Sequence, residues 1–286
     1  IQSVLLIEIL VTHSPASMLP RQTKQLLTKT TSTSSASCLS SISRFNHRSF
    51  CVTGKNSPYF QIENAPWTTK PVFRDTSRIE PFPVFRCIDW DGNTVDPNFT
   101  LPFSEDELIG LYRNMHFVQS FDETFYRLVR AGYISFYLQN SGEEALQLGS
   151  AKAWKPEDVL FFQYRELGVF LQRGFPLQQC ADVNFSNDND YAKGKQMPIH
   201  YGSKELNCVT ISSPLATQLP QASGAAYALK RSGQKACAVC YFGDGAASEG
   251  DAHAAFNFAA TTDAPVIWMC RNNGYAISTP TVDQYR

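Results

Sequence analysis

Two short stretches carry the residue types that could do chemistry. Gly243-Asp244-Gly245 follows an apolar run at 236–242, and Arg271-Asn272-Asn273-Gly274-Tyr275 follows a second at 265–270. A carboxylate and an amide oxygen are hard ligands, and with a backbone carbonyl they suit an octahedral Mg²⁺ that keeps its other positions for phosphate oxygens. Glycines beside Asp244 let the backbone approach a diphosphate, and the N-terminus of a following helix adds a favourable dipole. Arg271 would neutralise part of the phosphate charge. The ordinary alternative is a β-turn and an Asn-Gly loop that only cap strands. A lone Gly-Asp-Gly does not decide between them; the order Gly-Asp-Gly, helix, strand, Asn-Asn does.

The elements that must position these residues are readable from periodicity. Ser104 and Glu107 form a capping box, and Leu108, Leu111, Tyr112, Met115, Val118, Phe125, Leu128 and Val129 follow at helical spacing until Gly132. A second helix is expected over 142–154, stopped by Lys155-Pro156. Val159–Gln163 reads as a short strand leading into Tyr164-Arg165-Glu166. The polar stretch 182–208 reads as a long loop. Helices are expected over 219–230 and 248–260, with strands over 236–242 and 265–270. Strand, helix, strand at that spacing is a right-handed crossover, so the fold class is α/β, a parallel sheet flanked by helices. Ligands in such sheets sit at the carboxyl ends of the strands, where both stretches fall. Residues 56–100 are Pro-rich and read as an irregular extension lying on a domain or a partner, with one hairpin around Asp91-Gly92.

The chain has 286 residues with 25 basic and 26 acidic side chains. A net charge of −1 argues against a nucleic-acid binder that works by bulk electrostatics. No uninterrupted apolar stretch approaches the ~18 residues of a membrane span. Charge is unevenly spread, because residues 1–62 hold six basic residues and one acid, Glu8. Basic, Ser/Thr-rich and otherwise acid-free, residues 1–55 read as a mitochondrial transit peptide, with a disordered tail as the alternative. Met18 reads as the initiator, leaving 1–17 untranslated, and cleavage is expected near Arg48–Cys51. Eight scattered cysteines in a reducing compartment do not make a disulfide framework. Cys237-Ala-Val-Cys240 has redox or zinc spacing, but on a strand its cysteines face opposite sides, and both read as core residues.

Gly-Asp-Gly followed by Asn-Asn is the pattern of thiamine-diphosphate enzymes, and the likeness sharpens over residues 100–286. Gln163-Tyr164-Arg165-Glu166, the run 196–202, Ile211-Ser212-Ser213-Pro214-Leu215-Ala216-Thr217-Gln218, the run 241–258 and the run 271–286 resemble the α subunits of E1 components of mitochondrial 2-oxo acid dehydrogenase complexes. They are most similar to the branched-chain branch. The resemblance implies a thiamine-diphosphate-binding fold and oxidative decarboxylation of branched-chain 2-oxo acids, with the acyl group passing to a lipoyl group of E2. It implies cofactor contacts by Tyr164, Arg165, Ser213, Leu215, Gly245, Ala246 and Arg271. Mg²⁺ would be held by Asp244, Asn273 and the carbonyl of Tyr275, and K⁺ by Ser212, Pro214, Thr217 and Gln218, largely through backbone oxygens. Asp stands at 244 where the branched-chain branch commonly has Glu; either ligates.

The implied partners are an E1 β subunit in an α₂β₂ heterotetramer and a lipoyl-bearing E2, in the mitochondrial matrix. The carboxylate that activates the aminopyrimidine belongs to the β subunit, so no catalytic residue is assigned in this chain. Leu167, where pyruvate enzymes carry His, suits an aliphatic substrate side chain. His253 is expected on a helix face or interface, and His116 and His200 are undecided. The family continues beyond residue 286 with further strands, a His-bearing loop and a helical region, so the domain is expected to be partial and its sheet edge open. The alternatives are a pyruvate-type or related E1 α subunit, a truncated non-catalytic paralogue binding the β subunit, and a nucleotide-binding domain using 243–250 as its phosphate loop.

Overall fold

The computed structural model describes residues 6–10, 56–59, 62–66, 68–73, 75, 78 and 80–284, the first three stretches as backbone alone. In chain order the first elements are strands β1 (Leu6–Leu10), β2 (Asn56–Tyr59) and β3 (Ile62–Pro66), helices α1 (Glu105–Arg130) and α2 (Glu144–Ala151), and strand β4 (Val159–Phe161). Helices α3 (Leu167–Gln172), α4 (Leu177–Asn184) and α5 (Gln218–Ser232) follow, then strand β5 (Ala238–Gly243), α6 (Asp244–Ala247), α7 (Gly250–Thr261) and strand β6 (Val266–Asn272). The short elements β7 (Tyr275–Ala276), β8 (Thr279–Pro280) and α8 (Thr281–Gln284) come last. The chain divides into two compact units, residues 1–17 with 101–286, and residues 18–100.

In the larger unit a parallel sheet runs in the order β1-β6-β5-β4. Successive residues of β5 point to opposite faces, and both faces are covered. Ala238, Cys240 and Phe242 join Trp268, Ala222, Ala226, Ala252 and Ala255 in one buried cluster. Val239 and Tyr241 join Met269, Phe162, Phe170 and Val118 in the other. That two-sided burial is why these strands read as unbroken apolar runs. Alanines at the α5–α7 contact let the two helices approach until Ser223 Oγ donates to the Ala255 carbonyl at 2.9 Å. Gly233, at φ +71°, closes α5 in the left-handed conformation that a C-terminal cap needs.

The capping box at Ser104 and Glu107 is present. Tyr112 of its apolar series, however, is exposed, and the buried face of α1 instead includes Phe121 and Asp122. Two helices, α3 and α4, lie where no helix was expected; both are short, and α4 overlaps the start of the stretch read as loop. The Asp91-Gly92 hairpin, in the smaller unit, reduces to one bridge, Ile88 to Thr94, with the Asp89 carboxylate accepting from the amides of Asp91 and Asn93. The transit-peptide reading lies outside the described residues except at Leu6–Leu10. There the backbone pairs with β6 from Trp268 to Asn272, so the β6 edge expected to be open is covered by β1. The C-x-x-C cysteines are core residues: burial pushes the Cys237 thiol up to about 12 and Cys240 well above its ordinary value, so neither is a thiolate.

A polar network crosses the apolar layer between α1 and the end of β4. Asp122, buried on α1, accepts from Tyr137 Oη at 2.8 Å and from the Asn140 amide side chain at 2.9 Å. Asn140 in turn accepts from Gln147 Nε2, while Gln147 Oε1 accepts from the Gly168 amide at 2.8 Å. Burial holds Asp122 above the ordinary carboxylate range, against the opposing hydrogen bonds from Asn140 and Tyr137. A carboxyl raised on folding stabilises fully below its unfolded pKa, and that contribution is lost as pH rises through the folded value. Asp122→Asn should therefore flatten the decline of stability with rising pH, a slope of at most about 1.4 kcal/mol per pH unit for one group. Urea unfolding at several pH values measures it; a slope unchanged from wild type would contradict it.

Candidate functional site

The register of β5 on β6 sets Gly243 opposite Arg271, so Asp244 and Asn272-Asn273 leave neighbouring strands at the same level. Asp244 is buried and opens α6. Gly245 must be glycine for a packing reason: a Cβ there would lie 2.6 Å from the Ala276 Cβ in the loop after β6. Gly245→Ala should push that loop away and cost about 1–3 kcal/mol through overpacking. Urea unfolding would register it, and an unshifted midpoint would show that the loop yields freely.

Among the described residues the Asp244 carboxylate accepts one hydrogen bond, from Gln284 Nε2 at 3.1 Å. That same nitrogen donates to the Thr279 carbonyl, which fixes the amide's orientation and leaves Gln284 Oε1 buried without a partner among those residues. An unsatisfied oxygen on the side chain that holds the carboxylate is a place for a hard cation or its water. Asn273 is exposed, and its side-chain oxygen accepts from the Tyr275 amide at 3.1 Å; a carbonyl oxygen keeps a second lone pair for a ligand. The Tyr275 ring is exposed, consistent with a contribution through its carbonyl alone. Among the described residues no three His, Cys, Asp or Glu side chains cluster as a metal site. The donor set around Asp244 is one carboxylate with amide and carbonyl oxygens, which fits Mg²⁺.

Arg271 departs from the simple picture of a cation facing solvent. It is buried between two carboxylates, donating from Nε to Glu166 at 2.8 Å and from one terminal nitrogen to Glu143 at 3.1 Å. Burial alone would lower its pKa, but the charges of Glu166 and Glu143 outweigh that and hold it above its ordinary value. Burial raises Glu143, against the pull of Arg271. Arg165 donates to the Gln139 carbonyl, and Tyr164 Oη to the Ser213 carbonyl. Burial raises the Tyr164 phenol, with the Glu166 charge adding to it, so the hydroxyl stays a donor. Ser213 Oγ also meets His200 Nε2 at 2.9 Å, while His200 Nδ1 faces the Pro198 carbonyl at 2.9 Å. If Nδ1 carries the proton, Nε2 is the acceptor and Ser213 the donor.

Several expected residues behave differently from one another. Leu215 is exposed beside Ala216, a non-glycine at φ +65°, as a side chain presented outward by a strained loop would be. The Ala246 side chain is fully buried in the core, so only its backbone is left for a ligand. Gln218 donates to the Tyr241 carbonyl at 3.1 Å, which ties the start of α5 to β5; Ser212, Pro214 and Thr217 lie in the loop before it. Leu167 packs in the core at 2% exposure. His253 is exposed on α7, as expected; of the two undecided histidines, His116 is exposed on α1 and His200 is buried. Sequence reasoning missed Glu143, Gln147, Gln163, Glu166 and Gln284. A readable sign existed for two of them: Gln147 lies between two leucines, and Gln163 follows the apolar run of β4.

The Dehydrogenase E1 component family matches residues 112–286. The chain is 48% identical over 231 residues to the mouse protein named 2-oxoisovalerate dehydrogenase subunit alpha, mitochondrial, covering 81% of this chain and 52% of that one. It is 50% identical over 220 residues to subunit alpha 2 of the same enzyme from Arabidopsis thaliana, covering 77% and 47%. Against the Caenorhabditis elegans subunit alpha it is 46% identical over 237 residues, covering 82% and 55%. The chain thus spans about half the length of these relatives.

Proposed function

The chain belongs to the Dehydrogenase E1 component family, and from that premise we propose that it is the α subunit of a branched-chain 2-oxo acid dehydrogenase. The reaction is the oxidative decarboxylation of a 2-oxo acid with transfer of the acyl group to a lipoyl group of E2, which is reduced. Thiamine diphosphate supplies the electron sink for decarboxylation when bound. The residues of this chain bind and orient it. Asp244, Asn273 and the Tyr275 carbonyl would hold Mg²⁺ against the diphosphate, and Arg165, Arg271 and Tyr164 would contact the diphosphate itself. Ser213 and Leu215 would lie against the thiamine, and the backbone at Gly245 and Ala246 would face the cofactor. Ser212, Pro214, Thr217 and Gln218 would brace the loop around K⁺. The acid–base carboxylate would come from a β subunit, in an α₂β₂ assembly in the mitochondrial matrix; the relatives' names support a mitochondrial alpha subunit.

The observation that carries this reading is the register that sets Gly243, next to Asp244, opposite Arg271 at the ends of adjacent parallel strands, with an oxygen of Gln284 near Asp244 that has no partner among the described residues. The test is co-expression with an E1 β subunit and assay with an artificial electron acceptor. We expect kcat/KM for 2-oxoisovalerate to exceed that for pyruvate by roughly ten-fold or more, the scale set by a few buried methyl groups. Preference for pyruvate would contradict the branched-chain assignment.

A further inference from the structure

The two expected diphosphate-contacting elements are joined by one side chain. Glu166 is 1% exposed and sits at the mouth of the sheet, directly after Tyr164 and Arg165. One of its oxygens, Oε2, accepts from the backbone amides of Gln163 at 2.9 Å and Arg165 at 3.2 Å. The other, Oε1, accepts from Arg271 Nε at 2.8 Å, from the end of β6. β5 lies between β4 and β6, so this carboxylate reaches across a strand that it does not belong to. The loop is held from the far side as well, because Gln147 Nε2 donates to the Arg165 carbonyl and Gln163 Oε1 accepts from the Gly243 amide at 2.9 Å.

We infer that Glu166 is a positioning residue that fixes Tyr164–Arg165 and Arg271 relative to each other before any ligand arrives. This rests on the reading that these residues contact a diphosphate. A buried carboxylate that accepts from two backbone amides and a guanidinium ties the three together. Each charge-assisted bond is short and directional, and together they remove the freedom of the loop and of the guanidinium. Glu143, just before α2, also holds Arg271, and its charge acts on Arg165, but among the described residues it makes no hydrogen bond to the Tyr164–Arg165 loop. Pre-organisation of this kind acts on affinity, since ordering the contacts is no longer a cost of binding.

The test is Glu166→Gln in the full chain with its β subunit, alongside Glu166→Asp, which keeps the charge on a shorter side chain. Asp158→Asn is the control. Asp158 is another buried carboxylate, and it accepts from the Cys237 amide at the opposite end of the sheet. Two readouts are taken, hydrogen exchange of the Gln163 and Arg165 amides without ligand, and titration with thiamine diphosphate and Mg²⁺. For Glu166→Gln we expect exchange at both amides to quicken about ten-fold and the cofactor Kd to rise about ten-fold, the effect of losing a hydrogen bond to a charged group. Glu166→Asp should fall between it and wild type, and Asp158→Asn should change neither. Folded variants with wild-type exchange and wild-type Kd would overturn the inference, as would losses matched by Asp158→Asn. If Glu166→Gln does not fold, Glu166→Asp carries both readouts. A wild-type assembly that binds no thiamine diphosphate would sink the cofactor reading, and the exchange rates would then decide on the clamp alone.

Discussion

Replacing Arg271 by Met should destabilise the protein by about 3–5 kcal/mol, because it leaves the buried carboxylates of Glu143 and Glu166 without their common partner. The loss should depend on pH in a definite sense. Burial already raises Glu143, and removing the guanidinium removes the charge that opposes that shift. A carboxyl raised on folding contributes stability below its unfolded pKa and loses it as pH rises through the folded value. The variant should therefore recover part of its deficit towards acid, where Glu143 takes up a proton. Urea unfolding at acid and neutral pH checks both parts. A deficit under ~1 kcal/mol at neutral pH, or one that grows towards acid, would mean that the charge cluster is not held as described.

Asp244→Ala should separate binding from folding. Asp244 makes one hydrogen bond in the described structure, to Gln284, so its loss leaves a single amide nitrogen with one partner fewer. The expected stability change is about 1 kcal/mol, that of one hydrogen bond. Loss of the only anionic ligand of the proposed Mg²⁺ should weaken Mg²⁺-dependent thiamine diphosphate binding by about 100-fold or more, beyond what removing an outer-shell partner typically costs. Isothermal titration at fixed Mg²⁺ measures it. An affinity within a few-fold of wild type would remove Asp244 from the metal site.

The strands and their crossover were legible because both faces of the sheet are buried, so β5 and β6 could only be apolar throughout. Placing Asp244 and Arg271 at their tips then followed from topology alone. What sequence could not give was the second layer of the site. Glu166 and Glu143 lie 105 and 128 residues before Arg271, and nothing in that spacing says that both turn inward onto one guanidinium. Arg271 was legible as a cation near phosphate but not as a cation already held by two carboxylates. The α3 helix was missed because six residues carry too little periodicity to separate a buried helix from a strand. Leu167, next to Glu166 and buried in the core, is the kind of aliphatic residue that sequence alone does not sort between packing and substrate fit.

The central claim is that the tips of β5 and β6 form a Mg²⁺-dependent diphosphate site for thiamine. The most direct measurement is titration of thiamine diphosphate into the chain assembled with its β subunit, with Mg²⁺ and then with a chelator. Nicotinamide dinucleotide and unphosphorylated thiamine serve as comparators. We predict saturable binding of thiamine diphosphate that is lost on chelation, weak binding of thiamine, and none of the dinucleotide. Binding indifferent to Mg²⁺, or a preference for the dinucleotide, would contradict the account.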